Sequence, residues 1–219
     1  MLEQSDIHDV LDLDGSVPYL SPVEVPERVL RRLRLIAERT RPWDNEPSLM
    51  PREEREEIAM MVASTFMDFK DFAIVGMKFL GFDTTWEQLD IAQYMADKRY
   101  RKKMVAAQRG EAKSTLAALY AVWSIIQNNA YRVLIISAGE SQASDVAILC
   151  VRLITQWHLL CYLRPNAQLG DRTANTKFDV HCHLKPVDKS ASITCVGITA
   201  NLPGLRADLL IPDDKHVSS

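Results

Sequence analysis

The stretch Ala107-Gln-Arg-Gly-Glu-Ala-Lys-Ser114 decides how the rest of the sequence is interpreted. It has the length and the final Lys-Ser of a phosphate-binding loop. In such a loop backbone N–H groups surround a phosphate, the lysine reaches the β- and γ-phosphates, and the hydroxyl binds Mg2+. The strict pattern has glycine where this chain has Ala107 and Ala112, while Gly110 lies inside the loop. The register predicts a nucleotide site, and an ordinary strand-to-helix turn containing Lys-Ser is the alternative.

The flanking segments favour the phosphate loop. Residues 104–107 are apolar, which predicts a short strand, and residues 116–126 are apolar almost all round, which predicts a helix buried against a sheet. Residues 132–137 form a continuous apolar run, typical of a central parallel strand. A helix over about 141–161 and strands over 178–184, 193–199 and 207–212 are predicted to follow. This order predicts an α/β fold whose mostly parallel sheet is covered on both faces.

A second element, Ala207-Asp-Leu-Leu-Ile-Pro-Asp-Asp214, is an apolar strand that ends in two acids. Magnesium-dependent nucleotide hydrolases place such a strand beside the phosphate loop, where one carboxylate holds the metal and the next orients or deprotonates water. Acids are also common where a strand enters a turn. Because both elements occur in the right order, the sequence predicts a P-loop nucleotide-binding domain.

The first part of the chain has a different character. Residues 1–20 are acidic and lack periodicity, which predicts a loose arm. Helices are predicted over 22–40, from Pro51 onward, over about 66–80, and again over 86–96. We therefore expect an α-helical N-terminal extension over residues 1–65 and a P-loop domain over residues 66–219.

Composition limits the class of protein. The net charge of −3 over 219 residues shows no surface built to coat nucleic acid, so contact with DNA must be local. The four cysteines form no CxxC pair, which predicts reduced, buried thiols. No signal-like N-terminus or membrane-length apolar run occurs, so we expect a soluble, intracellular protein without a membrane partner.

Four motifs in this order resemble those of the large terminase subunits of short-tailed phages. Two are the phosphate loop, with alanine first and Arg109 third, and the acidic strand. The others are Gly204-Leu-Arg-Ala-Asp208 before that strand and Thr85-Trp-Glu-Gln88 before the loop. The resemblance covers about residues 70–214. The chain departs from the family at Ala112, usually glycine, and at His216, where a glutamate often stands.

The resemblance implies a RecA-like ATPase core that hydrolyses ATP with Mg2+ and drives double-stranded DNA into a procapsid. It implies catalytic roles for Asp214, Arg109 and Lys113, a metal site at Ser114 and Asp213, and recognition of adenine by Gln88. The nucleotide-binding residues that it implies are Gln88, Gln108, Arg109, Gly110, Glu111, Ala112, Lys113, Ser114 and Thr115. Its implied partners are DNA, the portal protein, the small terminase subunit and further copies in a ring, all in the host cell cytoplasm. Since the sequence stops soon after Asp214, we expect a truncated motor domain without the nuclease domain.

Further features have two interpretations each. The basic run Lys98-Arg-Tyr-Arg-Lys-Lys103 is interpreted as a solvated helix end and the start of a strand, with DNA phosphate binding as the alternative. The triplet His181-Cys182-His183 contains metal-ligand types, but strand alternation predicts a structural strand with Cys182 inward. Arg109 contacts the γ-phosphate or is structural, and Trp86 stacks near the adenine or lies in the core. For the whole chain, a helicase fragment or a catalytically inactive docking module are the alternatives.

Overall fold

The computed structural model describes residues 22–43, 45–106, 112–137, 144–199 and 204–213, and of Asp213 only the backbone. Helices precede and then alternate with strands, giving a mixed α/β fold. The helices are α1 (Glu27–Thr40), α2 (Arg52–Thr65), α3 (Phe69–Phe79), α4 (Trp86–Ala96), α5 (Lys113–Gln127) and α6 (Asp145–Gln156). The strands are β1 (Val133–Ser137), β2 (Thr173–Ala174), β3 (Lys177–Phe178), β4 (Ile193–Gly197) and β5 (Leu209–Asp213). Short 3-10 turns include Arg41–Trp43, Pro47–Leu49, His158–Leu163, Ala167–Leu169 and Cys182–Leu184.

Local capping chemistry fixes where several helices begin. Asp68 accepts the N–H of Lys70 before α3 at 3.0 Å, and Ser144 accepts the N–H of Ala147 before α6 at 3.2 Å. Such side-chain acceptors satisfy donors that the first helical turn leaves without partners. Helices α1 and α2 instead follow Pro26 and Pro51, whose fixed φ suits a helix start.

The sheet has the strand order β2-β3-β4-β1-β5. Strand β1 pairs in parallel with β4 on one side and with β5 on the other, while β3 pairs antiparallel with β2 and β4. A parallel pair needs a crossover connection, which α6 and the segment after it provide between β1 and β4. The expected α/β class is therefore confirmed for the described residues, and the sheet is mixed: strands β4, β1 and β5 are parallel, whereas β2 and β3 extend it with antiparallel pairs.

One apolar core runs through the described residues. Its buried members come from α1 and α2, from α5, and from the central strands, and they include Val29, Ile58, Leu119, Ile135 and Cys195. A hydrogen bond also joins helix α5 to the end of helix α2: Trp123 Nε1 donates to the carbonyl of Phe66 at 2.7 Å. Helices α1 and α2 and the sheet thus share one hydrophobic core, which extends across the domain boundary expected at residue 65.

The side chain of Arg55 crosses this interior. It is fully buried on α2 and donates from Nη1 to the carbonyl of Tyr162 at 2.5 Å and from Nη2 to the carbonyl of Pro47 at 2.7 Å. Burial lowers the pKa of Arg55 to about 10, so the guanidinium stays charged at neutral pH. Arg55 therefore holds helix α2 and the turn before it against the segment that follows α6.

Three predicted elements differ from the structure. The strand expected over 178–184 ends at Phe178, because polar side chains take over the backbone bonds: Val180 N–H donates to Ser192 Oγ at 3.1 Å. Residues 104–106 form no strand. The helix expected over 141–161 stops at Gln156, because Trp157 is extended, and the chain continues as a 3-10 turn.

Within the described residues no single helix is long and apolar enough to span a membrane. The bent pair Asp145–Gln156 and His158–Leu169, which meet at 97°, passes that test together by length and composition. Most of its apolar side chains lie in the core.

Candidate nucleotide site

Helix α5 begins where the sequence places the end of the phosphate loop. Its first residue is Lys113, followed by Ser114 and Thr115 in the first turn. The residue before it, Ala112, has φ +50° and ψ +32°, a left-handed conformation that glycine adopts without strain. The phosphate-loop pattern has glycine at this position. Ala112 thus has a backbone conformation that favours glycine, at a position where the pattern has glycine.

The carboxyl ends of the central strands lie at one edge of the sheet. Strands β1, β4 and β5 are parallel and in register, so Ser137 lies beside Gly197 and beside Asp213. Helix α5 leads through a short turn into the start of β1, so its own beginning faces this carboxyl edge. In open α/β sheets ligands bind at this edge.

A cleft of about 630 Å3 opens between the start of α5, the segment after α4, and β5. Lys113 and Ser114 line it from the helix, and Ile211 and Pro212 line it from the strand. The predicted lysine, hydroxyl and acidic strand are therefore brought to one cavity, with Asp213 next to Pro212 in the chain.

Cations dominate the charged part of this cleft. Besides Lys113, the described lining contains Lys98, Arg101 and Lys103. The described acidic lining residue, Asp208, is engaged by Arg132, whose Nε lies 3.0 Å from Oδ2 and lowers the pKa of that carboxyl. Burial lowers the pKa of Lys103. The cavity can therefore hold a polyanion such as a polyphosphate.

Aromatic rings form another part of the lining. Tyr120 stacks on Trp123 with centroids 5.6 Å apart, and Tyr100 and Tyr131 also border the cleft. Trp123 is buried, whereas Tyr100 is exposed and offers a flat apolar face to a planar base. The sequence analysis did not predict that rings and cations share one cleft, although the basic run 98–103 indicated where the cations are in the chain.

Gln88 occupies a different place from the one its predicted role suggests. Its Oε1 accepts the N–H of Thr85 at 3.1 Å, and its own N–H donates to Thr85 Oγ1 at 3.4 Å, forming a capping box at the start of α4. The cleft is lined by Met95 at the other end of that helix, about 10 Å further along its axis. Adenine recognition by Gln88 stays a prediction. Trp86, 40% exposed, is not a core residue.

The remaining predicted site residues lie outside the described part of the chain. These residues are Gln108, Arg109, Gly110, Glu111 and Asp214, and the side chain of Asp213 belongs with them. Asp208, which the sequence supplied only as part of a motif, has a visible role: its carboxylate accepts the backbone N–H of Arg132 at 2.9 Å and so joins the starts of β1 and β5.

The triplet at 181–183 differs from its prediction. Cys182 begins a 3-10 turn, and His181 is buried while Cys182 and His183 are half-buried. The expected strand with Cys182 inward is therefore wrong. His181 caps the turn, because its Nδ1 accepts the N–H of His183 at 3.2 Å. Burial, and then the nearby charge of Arg55, lower the pKa of His181 to about 4.

Comparison with known proteins adds an independent finding. The fold is of the mixed α/β class, and a cationic cleft runs along the edge strand β5 to the start of α5. No protein-family model matches the chain. Over 162 residues, 74% of this chain, it is 33% identical to the large terminase subunit of Enterobacteria phage T3. The resemblance read from the motifs is confirmed: this chain is a homologue of a phage large terminase subunit. The aligned part spans 27% of the length of that relative.

Proposed function

We propose that this chain is the ATP-binding part of a phage DNA-packaging motor and that its cleft binds ATP with Mg2+ for hydrolysis. The observation that carries the proposal is the left-handed Ala112 followed by Lys113 and Ser114 at the edge of a cationic cavity. Homology to a large terminase subunit supports the motor assignment. A RecA-like core is proposed on the same grounds.

The donor types present fit the nucleotide and its metal. Lys113 would neutralise phosphate charge, and the Ser114 hydroxyl and the Asp213 carboxylate would hold Mg2+, a cation that prefers oxygen ligands. Bound Mg2+ supplies charge neutralisation of the phosphates. Asp214 is proposed to orient the attacking water, and Arg109 to stabilise charge on the γ-phosphate. Lys98, Arg101 and Lys103 add positive charge along the wall of the cleft.

The partners follow from the motor assignment. We propose double-stranded DNA as the cargo, with the portal protein of the procapsid, the small terminase subunit and further copies of the subunit as partners. This work takes place in the host cell cytoplasm. The net charge of −3 means that any DNA-contacting surface is local.

Thermal unfolding with and without magnesium-ATP tests the proposal. A ligand present at about 100 times its Kd adds about 2.7 kcal/mol to stability, so the parent protein should show a clear rise in Tm. Lys113→Ala should abolish that rise without changing the Tm of the nucleotide-free protein by more than a few degrees.

Lys78→Ala is the matched control, because Lys78 is exposed in the last turn of α3 and is not among the residues that line the cleft. It should keep the full response to magnesium-ATP. If Lys113→Ala responds as the parent does, the loop assignment is wrong. If the parent itself shows no response, the docking module becomes the better account.

A further inference from the structure

Two imidazoles and a thiol meet beside strand β3, away from the cleft that borders β5. The ligand atoms of His181, Cys182 and His183 all lie within 4.8 Å of one another. Cys182 Sγ is 3.9 Å from Nδ1 of His181. In a tetrahedral zinc site, with bonds of about 2.0 Å to nitrogen and 2.3 Å to sulfur, neighbouring ligand atoms are roughly 3.3–3.8 Å apart. The three side chains thus need movements of about 1 Å to share one ion.

The surroundings leave buried nitrogens without partners. His181 is 1% exposed. Among the described residues, neither Nε2 of His181 nor Nδ1 of His183 has a hydrogen-bond partner, although both atoms are buried. Buried polar atoms in native proteins are almost always paired with protein, water or an ion. An ion bound by His183 Nδ1 would give that atom the partner it lacks.

The charges around the triplet also fit a cation. The buried carboxylate of Asp171 accepts the N–H of Cys182 at 3.2 Å, directly beside the thiol. Arg55 is the opposing positive group, since its charge acts on both His181 and Cys182. Once Cys182 is a thiolate, it and Asp171 carry two negative charges against the single positive charge of Arg55.

We propose that His181, Cys182 and His183 bind a thiophilic divalent ion of the Zn2+ class. The ligands are Nδ1 of His181, Sγ of Cys182 and Nδ1 of His183. On binding, the Cys182 thiol releases its proton to solvent, and Nδ1 of His181 exchanges the N–H of His183 for the metal. Imidazole and thiolate select Zn2+ over Mg2+, so this ion is distinct from the one proposed for the nucleotide. It holds the turn after β3 in one conformation.

Cobalt absorption on the full chain, reduced and stripped by a chelator, tests the proposal. Co2+ in place of Zn2+ should give intense visible bands and a sulfur-to-cobalt charge-transfer band, saturating at one ion per chain, and Zn2+ should abolish both. Cys182→Ser should remove the charge-transfer band. It should weaken Co2+ binding by at least about 100-fold, the upper end of what loss of a supporting residue alone costs. Magnesium-ATP should leave the bands unchanged.

Cys195→Ala serves as the control, because it removes a thiol from β4 and leaves the triplet intact; it should keep the bands of the parent. His183→Gln is a second ligand variant whose binding should also fall at least about 100-fold, and far-UV circular dichroism confirms that each variant is folded. A parent protein without a thiolate band, or a band that persists in folded Cys182→Ser, overturns the proposal.

Discussion

Ala112 holds a backbone conformation that its side chain disfavours. A left-handed φ places Cβ close to the following carbonyl and costs roughly 1–2 kcal/mol for a residue other than glycine. Ala112 is the residue other than glycine that has a positive φ in the described part of the chain. This strain lies immediately before the helix that begins with Lys113, where the chain turns toward the cleft.

Ala112→Gly should therefore raise the free energy of unfolding by about 0.5–1 kcal/mol, because relief of strain exceeds the added freedom of glycine in the unfolded state. Urea denaturation measures the change. The control Ala63→Gly, within helix α2, should instead lower stability by up to about 1 kcal/mol. Equal losses in both variants would contradict a left-handed Ala112.

Gln88 has a structural role that is visible and a predicted role in recognising adenine. Gln88→Glu separates them, because a carboxylate still accepts the N–H of Thr85 and preserves the capping box. Stability should stay within about 0.5 kcal/mol of the parent. The side-chain amide donor disappears, so the preference for ATP over GTP should fall if that amide contacts the base.

Gln88→Ala provides the comparison, since it also removes the cap and should cost about 1 kcal/mol of stability. Nucleotide preference is measured by competition between ATP and GTP on each variant. An unchanged preference in Gln88→Glu would leave Gln88 with the capping role alone.

Asp179 connects the elements at the β3 side of the sheet. Its carboxylate, 5% exposed, lies 2.7 Å from Nε of Arg172, and it also pairs with Lys185 and accepts the N–H of Ser192 at 3.3 Å. Burial opposes ionisation, but the hydrogen bonds from Arg172 and then Lys185 outweigh it, so the pKa of Asp179 is lowered from 3.8. This network replaces the strand that alternation predicted.

The pKa of Asp179 is lower in the folded protein than in the unfolded one. Its ionised carboxylate therefore contributes fully to stability above about pH 4–5, and this contribution is lost as the pH falls through the folded pKa. Asp179→Asn should therefore destabilise the protein at pH 7 by about 1–3 kcal/mol, with a smaller difference from the parent at pH 3. Unfolding free energies at both pH values test this. The exposed Asp90→Asn should change stability by less than about 0.5 kcal/mol at pH 7. A difference independent of pH would contradict the ionic role.

Elements with strong local signals were predictable from the sequence. Helix α4 has the predicted bounds, because Thr85 and Gln88 form a capping box that the sequence displays. Helix α5 begins at Lys113 as its motif requires. By contrast, the end of β3 depends on hydrogen bonds of Asp179 with Arg172 and of Val180 with Ser192, whose partners lie 7 and 12 positions apart in the chain. The cationic wall of the cleft could likewise not be predicted from the sequence, because tertiary packing decides which side chains of the run 98–103 face the cavity.

At the scale of the whole molecule, Arg55 and the shared core predict cooperative unfolding. Arg55→Ala leaves the carbonyls of Tyr162 and Pro47 without their donor and opens a cavity, which should cost about 2–4 kcal/mol. Circular dichroism and tryptophan fluorescence should still give one coincident transition in urea. The exposed Arg52→Ala on the same helix should cost less than about 0.5 kcal/mol. Separate transitions by circular dichroism and by fluorescence would indicate that helices α1 and α2 fold independently of the rest.

The contact between Arg55 and Tyr162 also bears on the order in which the protein matures during synthesis. The two residues are 107 positions apart, and ribosomes add roughly 5–20 residues per second, so Tyr162 is made about 5–20 s after Arg55. During that interval the guanidinium stays hydrated, because the carbonyl that receives it in the core has not yet emerged. Helices α1 and α2 are translated before the sheet, yet they reach their final packing only after the chain beyond α6 has left the ribosome.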